Sequence, residues 1–255
     1  YTPREAELAR LMPERTLADT SKKLLCPMPG LVVSIGVERE VAKGFVVSAD
    51  YVHQHWGDLD TTVDINAPSV FDRTEVGQTR SSSAADATRP ITPVNGGVRN
   101  VSVLMNNGQA DYDALQTLVT YRGHTRLSAS VSYTLSKATN TTEPDGNGVG
   151  ANQNNIARLG EEERGPSLVD QRHRAVISLT YRLPYNVSIG TVTQLASARP
   201  FNAVTGVDNN GDGSNNDRPV IDGKVIGKSA FRGTGTQDVN AFIEGRITVA
   251  GSRSL

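Results

Sequence analysis

The sequence predicts an all-β fold, an antiparallel transmembrane β-barrel to which this chain contributes about seven long strands. Two observations lead to this prediction. Apolar and polar residues alternate over runs of roughly 10 residues, which is the length of strand that crosses a bilayer at a tilt. Short and long connections between these runs follow one another in turn, as is typical of barrels with tight periplasmic turns and large extracellular loops.

The clearest strand is RLSASVSYTLSK, in which Leu127, Val131 and Leu135 mark an apolar face. Successive side chains of a strand point to opposite faces, so the other face is small and hydroxylated. HRAVISLTYRLP and DVNAFIEGRITV repeat the pattern with charged residues at polar positions. We expect the polar face to line the barrel lumen, with the candidates Ser128, Ser130, Ser132, Arg174, Arg182, Glu244 and Arg246.

The whole chain, 1–255, is interpreted as part of a single barrel domain. Strand hairpins are predicted at 30–54, 112–137 and 173–196, and the last strand at 238–250. Extracellular loops are predicted at 55–111, 138–172 and 198–237, and 1–29 as an extracellular loop with a short helix. Within the first long loop, GGVRNVSVLMNNG is expected to form a strand arm above the membrane. Because the chain begins without Met and stops just after a strand-like run, we expect a fragment of a longer protein.

Composition excludes several classes of function. The net charge is -1 and the 26 basic residues are scattered, which argues against a nucleic-acid partner. A single cysteine, Cys26, rules out both a disulfide framework and a zinc site built on cysteines. No run approaches the roughly 18 apolar residues that a transmembrane helix requires. No cofactor is predicted apart from calcium at one loop.

That loop is DNNGDGSNNDRP, in which Asp208, Asn210 and Asp212 occupy alternate positions, as at the start of an EF-hand loop. Its twelfth residue, Pro219, has no side-chain oxygen, and the flanking segments lack an apolar helical stripe. A polar surface loop is the favoured interpretation, since Asn, Asp and Gly dominate turns. A looser calcium-binding turn that also uses Asp217 stays open.

Two histidine motifs are considered as candidate functional sites, one for metal binding and one for catalysis. His53 and His55 lie on one face of a strand, where they could bind a metal if a third ligand were present. Polar residues at the point where a strand leaves the membrane are the favoured interpretation. His173 follows Asp170 closely, but the sequence contains no nucleophile motif such as G-x-S-x-G. We therefore expect a structural role for His173 and no enzymatic activity.

Several segments, in this order, resemble the barrel of TonB-dependent outer-membrane receptors of the Oar-like type, which carry a carboxypeptidase-regulatory-like domain. They are VSIGVEREVAKGFVVSADYV, DYDALQTLVTYRG, SASVSYTLSKATN, ERGPSLVDQRHRAVISLTYRLP and DNNGDGSNNDRP. The resemblance covers most of residues 30–249, and its most specific piece runs from Glu163 to Arg174. A plug, a TonB box and a terminal strand ending in an aromatic residue are not found in this sequence, which fits a fragment.

The resemblance implies a protein of the bacterial outer membrane that binds a solute at the cell surface for energised uptake. Its partners would be membrane lipid, an unidentified solute and the TonB complex, which would engage through the missing N-terminal part. A passive porin or a surface adhesin on the same barrel is one alternative. A soluble, calcium-stabilised β-domain is another.

Overall fold

The computed structural model describes residues 30–94, 97, 99–143 and 163–245. The helix predicted within 1–29 and the lumen candidate Arg246 lie outside these residues. The strands, in chain order, are β1 (Gly30–Ala42), β2 (Phe45–Asp64), β3 (Ser102–Tyr121), β4 (Leu127–Asn140), β5 (Gly165–Pro166), β6 (His173–Arg182), β7 (Val187–Ala196), β8 (Pro200–Phe201), β9 (Val220–Ile221), β10 (Lys224–Val225), β11 (Phe231–Arg232) and β12 (Thr236–Gly245). A short helix, α1 (Ser82–Asp86), lies between β2 and β3. No helix of the described ranges is long and apolar enough for a membrane span.

The long strands form one antiparallel sheet in the order β1-β2-β3-β4-β6-β7-β12, and β5 adds a short pairing at the end of β4. Consecutive long strands are neighbours, as expected for a meander of hairpins. Within the described residues the sheet is not closed, and β1 and β12 form its edges. The predicted all-β antiparallel architecture with about seven long strands is thereby confirmed.

Tight turns join β1 to β2, β3 to β4 and β6 to β7 at one end of the sheet, which we name the short-turn end. Gly44 in the first turn has a φ of 75°, a left-handed value that glycine adopts without strain. A Cβ at Gly44 would overlap the backbone of Gly123 in the neighbouring turn. The two turns therefore approach each other as closely as they do because both positions are glycine.

Strand register places the apolar residues of neighbouring strands on one common face. Val131 of β4 lies opposite Val119 of β3 and Ile177 of β6, and Tyr51 of β2 lies opposite Leu115 of β3. The serines of β4 occupy the opposite face. The alternation seen in each strand is thus continued across the sheet, which produces one apolar face and one polar face.

Burial is distributed in the reverse of the soluble-protein pattern. Among the described residues, the buried apolar side chains are Val63, Ala85, Ala114 and Val220, whereas strand residues such as Ile35 and Ile243 are 73% and 75% exposed. In the same described ranges, nineteen polar or charged residues are buried instead. A broad exposed apolar sheet face marks a surface that contacts something other than water.

The strands β2 and β3 extend beyond the predicted hairpins, with 20 residues each. Pairing continues to Asp64 and resumes at Ser102, so the first long connection is shorter than the predicted 55–111. A register shift between Trp56 and Leu59, with Asp58 at a φ of 53°, separates the arm from the rest of the hairpin. The part of the expected strand arm from Ser102 onward is present in β3. Its partner in β2, DLDTTVD, is not predicted, because its polar residues break the apolar alternation.

The other predicted boundaries also shift. The second connection begins after Asn140 rather than at 138 and contains β5, and the third contains β8 to β11. The last strand begins at Thr236 and is described to Gly245, against the predicted 238–250. Backbone pairing continues through polar residues at these ends, where periodicity gives no signal.

The two faces of β4 give a first test of the arrangement. Replacing Val131 by arginine should destabilise the full-length protein in lipid vesicles by about 2–4 kcal/mol, because a charge near the bilayer midplane is desolvated. Ser132→Arg, one residue further on the polar face, is the matched control and should cost far less. Urea unfolding in vesicles, followed by tryptophan fluorescence, measures the difference. Equal losses for the two variants would contradict the assignment of the faces.

Candidate functional site

The long connections pack at the end of the sheet opposite the short turns. We name their described residues, 65–94, 97, 99–101, 141–143, 163–172 and 197–235, the loop layer. Many of the buried side chains of the molecule lie in this layer or at the strand ends beneath it, and most are polar or charged. The charged ones are Asp64, Arg73, Arg89, Glu143, Glu163, Asp170, Asp212, Asp217, Arg218 and Lys228. Because an unpaired buried charge is costly, the partners of these groups define the layer.

One set of contacts closes the first connection on itself. The Asp64 carboxylate, at the end of β2, accepts the backbone N–H groups of Asn66 at 3.0 Å and Val101 at 2.7 Å. The Arg89 guanidinium donates to the backbone carbonyl oxygens of Asn66 at 2.8 Å and Arg99 at 2.9 Å. The start and the end of the connection are thus held together directly above the β2–β3 arm.

A second set joins the first connection to the third. Arg73 donates to the Asp217 carboxylate at 3.1 Å, and the side chains of both are almost completely buried. The other oxygen of Asp217 accepts two backbone N–H groups of the Asp208 loop at 2.8 and 3.1 Å. Arg89 donates to the backbone carbonyl oxygen of Asp212 at 3.0 Å. Arg80 also donates to the backbone carbonyl oxygen of Asn210 at 2.8 Å. The Asp208 loop is therefore fixed by three arginines of a distant segment.

The second connection is joined to the third by two further ion pairs. Arg218 donates both terminal nitrogens to the Glu163 carboxylate, a bidentate pair that is buried on both sides. Arg232 pairs with Asp170, whose other oxygen accepts the backbone N–H of Ala138 in β4 at 2.7 Å. These contacts tie all three connections to one another and to β4.

Lys228 fixes the third connection over the polar face of the sheet. Its buried ammonium lies 3.0 Å from the Glu143 carboxylate and also donates to the side-chain oxygen of Asn140. Asn140 is the last residue of β4 and lies on the same face as Ser132, since their positions differ by an even number. A Cβ at Gly165 would lie 2.7 Å from the Lys228 carbonyl oxygen, so glycine permits this close approach.

The pKa values of the charged groups reflect their burial. Burial raises the pKa of Asp217 against the opposing influence of Arg73, and burial likewise raises the pKa of Asp212. Burial lowers the pKa of Lys228, while Glu143 acts in the opposite direction. Burial acts to raise the pKa of Asp86, but hydrogen bonds from Arg99 and Arg89 outweigh it, and the pKa is lowered. The charges in the layer thus depend on their partners to stay ionised.

The Asp208 loop uses its own carboxylates to hold its backbone. Asp208 accepts three backbone N–H groups of the residues that follow it, at 2.6, 3.1 and 2.9 Å. The side-chain oxygen of Asn210 accepts the N–H of Asp212 at 2.8 Å, and Asp212 accepts that of Ser214 at 2.7 Å. In the described ranges, no group of three or more His, Cys, Asp or Glu side chains is arranged to hold a metal ion. The calcium hypothesis stays a prediction.

The six described lumen candidates share one face of the sheet. Ser128 and Ser130 lie opposite Thr180 and Ser178 of β6, and Arg174 lies opposite Thr134 of β4. Near the short-turn end, Arg182 and Glu244 both lie opposite Ser188 of β7. The face therefore carries hydroxyl groups along its middle and charges at both ends. Its assignment to the lumen of a closed barrel stays a prediction.

A second polar group lies on the apolar face, beyond Leu115 of β3 toward the loop layer and level with Leu31 and Val33 of β1. We name it the rim cluster; it comprises Tyr51, His53, His55, Asp111, Asp113 and Arg164. His53 Nδ1 lies 2.8 Å from the Asp113 carboxylate, and His55 Nδ1 lies 2.6 Å from that of Asp111. The Tyr51 hydroxyl donates to Asp113 at 2.8 Å, and Arg164 donates to Asp111. Each histidine thus faces a carboxylate that a further residue holds in place.

The other histidine considered from the sequence has a different partner. His173 Nδ1 lies 2.7 Å from the Tyr133 hydroxyl, and Asp170 is used by Arg232 and Arg172. This arrangement suits the structural role expected for His173. The absence of enzymatic activity stays a prediction.

Periodicity does not identify the residues that hold the loop layer together. Arg73, Glu163, Asp217 and Lys228 lie in irregular segments, and their partners are far away in the chain. Glu163 opens the segment in which the resemblance to Oar-like receptors is most specific, and that segment also contains Asp170. The resemblance of this loop segment to the receptor family is therefore the sequence feature that could have identified Glu163 and Asp170 as functional residues.

The Arg73–Asp217 pair predicts a local loss of stability. Arg73→Ala leaves Asp217 buried without its charged partner, which should cost about 3–5 kcal/mol. Hydrogen exchange of residues 205–218 in the full-length protein should then become faster. Arg122→Ala, at an exposed short turn, is the control and should leave that exchange unchanged. Unaltered protection in the Arg73 variant would show that the pair does not hold the third connection.

The Asp208 loop predicts a second outcome that also separates the two interpretations of its sequence. Asp208→Ala removes the acceptor of three backbone N–H groups, so hydrogen exchange of residues 209–214 should accelerate with or without calcium. If calcium in place of a chelator slows this exchange in the unsubstituted protein and not in the variant, the loop is a calcium site. Identical exchange in the two conditions assigns it a structural role alone.

Comparisons with known proteins give one local match. A segment of 45 residues, 17% of this chain, is 67% identical to part of the propionyl-CoA carboxylase alpha chain of Ruegeria pomeroyi. The chain covers 7% of the length of that relative, so neither its fold nor its activity is carried over. No solved structure matches the chain.

A family model described as an outer membrane beta barrel domain matches residues 32–246. This span includes every long strand described above apart from Gly30 and Leu31 of β1. The matched span agrees with the apolar outer face, the antiparallel meander and the alternation of short and long connections. It excludes the soluble β-domain. The chain belongs to the outer membrane beta barrel domain family and is a protein of the bacterial outer membrane.

Proposed function

We propose that this barrel is part of a TonB-dependent receptor of the Oar-like type, which binds a solute at the cell surface for energised uptake. The observation that carries the proposal is the fixation of the third connection over the polar face by Lys228, Glu143 and Asn140. A loop held above the polar face stands in the path that a solute would take through the barrel.

Order in the loop layer favours specific binding over free diffusion. The ion pairs Arg73–Asp217 and Arg218–Glu163 hold distant segments in one geometry. A binding surface that is ordered in advance loses less conformational entropy when a solute binds. Fixed loops on a rigid scaffold are also a common location for recognition sites.

The polar face indicates the chemical class of the solute. Its serine hydroxyls can donate and accept hydrogen bonds, and Arg174, Arg182 and Glu244 add charges of both signs. Such a surface suits polar solutes. Nutrient oligomers such as glycans or peptides fit it, and so do iron chelates.

Energy coupling through TonB is supported by the resemblance. The most specific segment of that resemblance, from Glu163 to Arg174, supplies Glu163 to Arg218 and Asp170 to Arg232. The segment that most resembles the receptors therefore also anchors the loop layer. The TonB complex would engage an N-terminal part beyond this chain.

A complete barrel in this proposal contains further strands. In lipid an unpaired backbone group costs several kcal/mol, so the edges of β1 and β12 require partners. We therefore expect the 255-residue chain alone to fail to insert stably, and we expect the full-length gene product to form a closed barrel.

Uptake by whole cells tests the proposal. Cells that produce the full-length protein are compared with a deletion strain, using fluorescent peptides, oligosaccharides and iron chelates. We expect saturable uptake of one class, and a protonophore should abolish it because TonB draws on the inner-membrane proton gradient. Uptake that continues after the protonophore would identify a passive porin. Surface binding with no uptake would identify an adhesin.

A further inference from the structure

The rim cluster contains a pair of histidines whose arrangement suits metal binding. His53 and His55 are two residues apart on β2, so both rings lie on the same face with Cα atoms about 7 Å apart. Both side chains are partly exposed, at 36% and 42%. Neither ring is enclosed by protein, so an ion that arrives at the rim of the barrel can contact both.

Hydrogen bonds to the carboxylates set the tautomer of both rings. An ionised carboxylate accepts hydrogen bonds and cannot donate them, so Nδ1 must carry the proton in each neutral imidazole. The proton on Nδ1 leaves the lone pair on Nε2 available. In the described part of the chain, the hydrogen bonds of both rings are made through Nδ1.

The carboxylates are themselves held from the other side. Asp113 accepts the Tyr51 hydroxyl, and Asp111 accepts the Arg164 guanidinium, which also donates to Gln109 at 2.8 Å. Metal-binding histidines commonly donate Nδ1–H to a carboxylate, which orients the ring and makes Nε2 more basic. A histidine that only needed a hydrogen-bond partner could use a single acceptor. Here each of two neighbouring histidines contacts a carboxylate that another side chain also holds.

From this geometry we propose that His53 and His55 form a binding site for a divalent transition metal at the outer rim of the barrel. Cu²⁺, Ni²⁺ and Zn²⁺ prefer imidazole nitrogen, and Cu²⁺ binds most tightly in this series. The two Nε2 atoms supply two ligands. Water or donor atoms of a solute complete the coordination. Asp111 and Asp113 are positioning residues, and the site does not depend on the proposed transport function.

Copper titration of the full-length protein in detergent micelles at pH 7.5 tests the site. The readouts are the number of Cu²⁺ equivalents from calorimetry and nitrogen hyperfine splitting in electron paramagnetic resonance. We expect His53→Gln and His55→Gln each to lose one equivalent and the spectrum of a two-nitrogen site. His173→Gln, a histidine on the same face without a carboxylate partner, should keep both.

The positioning residues supply a second test. Asp111→Asn and Asp113→Asn should lower the affinity of the site by about 10–100-fold and leave the number of equivalents unchanged. The gel mobility of unheated samples confirms that every variant is folded. The proposal is overturned if either histidine variant retains the equivalent, or if the wild-type spectrum shows a single nitrogen at this site.

Discussion

Complete pairing of backbone N–H and C=O groups between neighbouring strands is the constraint on which the rest of the structure depends. Lipid offers these groups no hydrogen-bonding partners, so strands must stay paired across the full thickness of the membrane. The long strands accordingly stay paired between the short turns and the level of Tyr51, with one register shift between Glu40 and Ala42 beside the first turn. A further register shift, between β2 and β3, follows at Trp56, nearer the loop layer, where water can satisfy unpaired groups. Because the backbone satisfies itself, side chains are free to alternate, and residues such as Ile35 and Ile243 can face outward.

The interior of the loop layer is stabilised differently from the sheet. It has almost no apolar core, so charged side chains in complementary pairs fill its interior. Removing two charges from water costs about as much as their attraction returns, so such pairs add little net stability. A pair such as Arg218 and Glu163 is nevertheless satisfied in one geometry, and misplaced loops would leave buried charges without partners. We interpret the pairs as the means by which long polar connections adopt a single arrangement.

Sequence alone predicts the part of the molecule that the lipid dictates. The period of two in β4 and β6 reports which side chains face the membrane, and the turns follow from the breaks between runs. The β2 side of the arm above Trp56 is not predicted, because its polar residues carry no such period. The Arg73–Asp217 pair joins residues 144 positions apart, and the two histidine–aspartate pairs depend on the register between β2 and β3. A single sequence reveals neither such long-range pairs nor the register between two strands, since local propensity and periodicity describe only neighbours along the chain.

The loop layer and the rim cluster meet at the same end of the sheet, and two adjacent residues of the second connection join them. Glu163 pairs with Arg218 inside the loop layer, and Arg164 extends to Asp111 in the rim cluster. Asp111 in turn fixes His55. Because Glu163 and Arg164 are adjacent, neighbouring residues hold Arg218 of the third connection and Asp111 of β3. The ion pair inside the loop layer and the carboxylate that orients His55 are thus one peptide bond apart in their attachment to the backbone. This end of the barrel is also where the bilayer ceases to exclude polar groups from either face of the sheet.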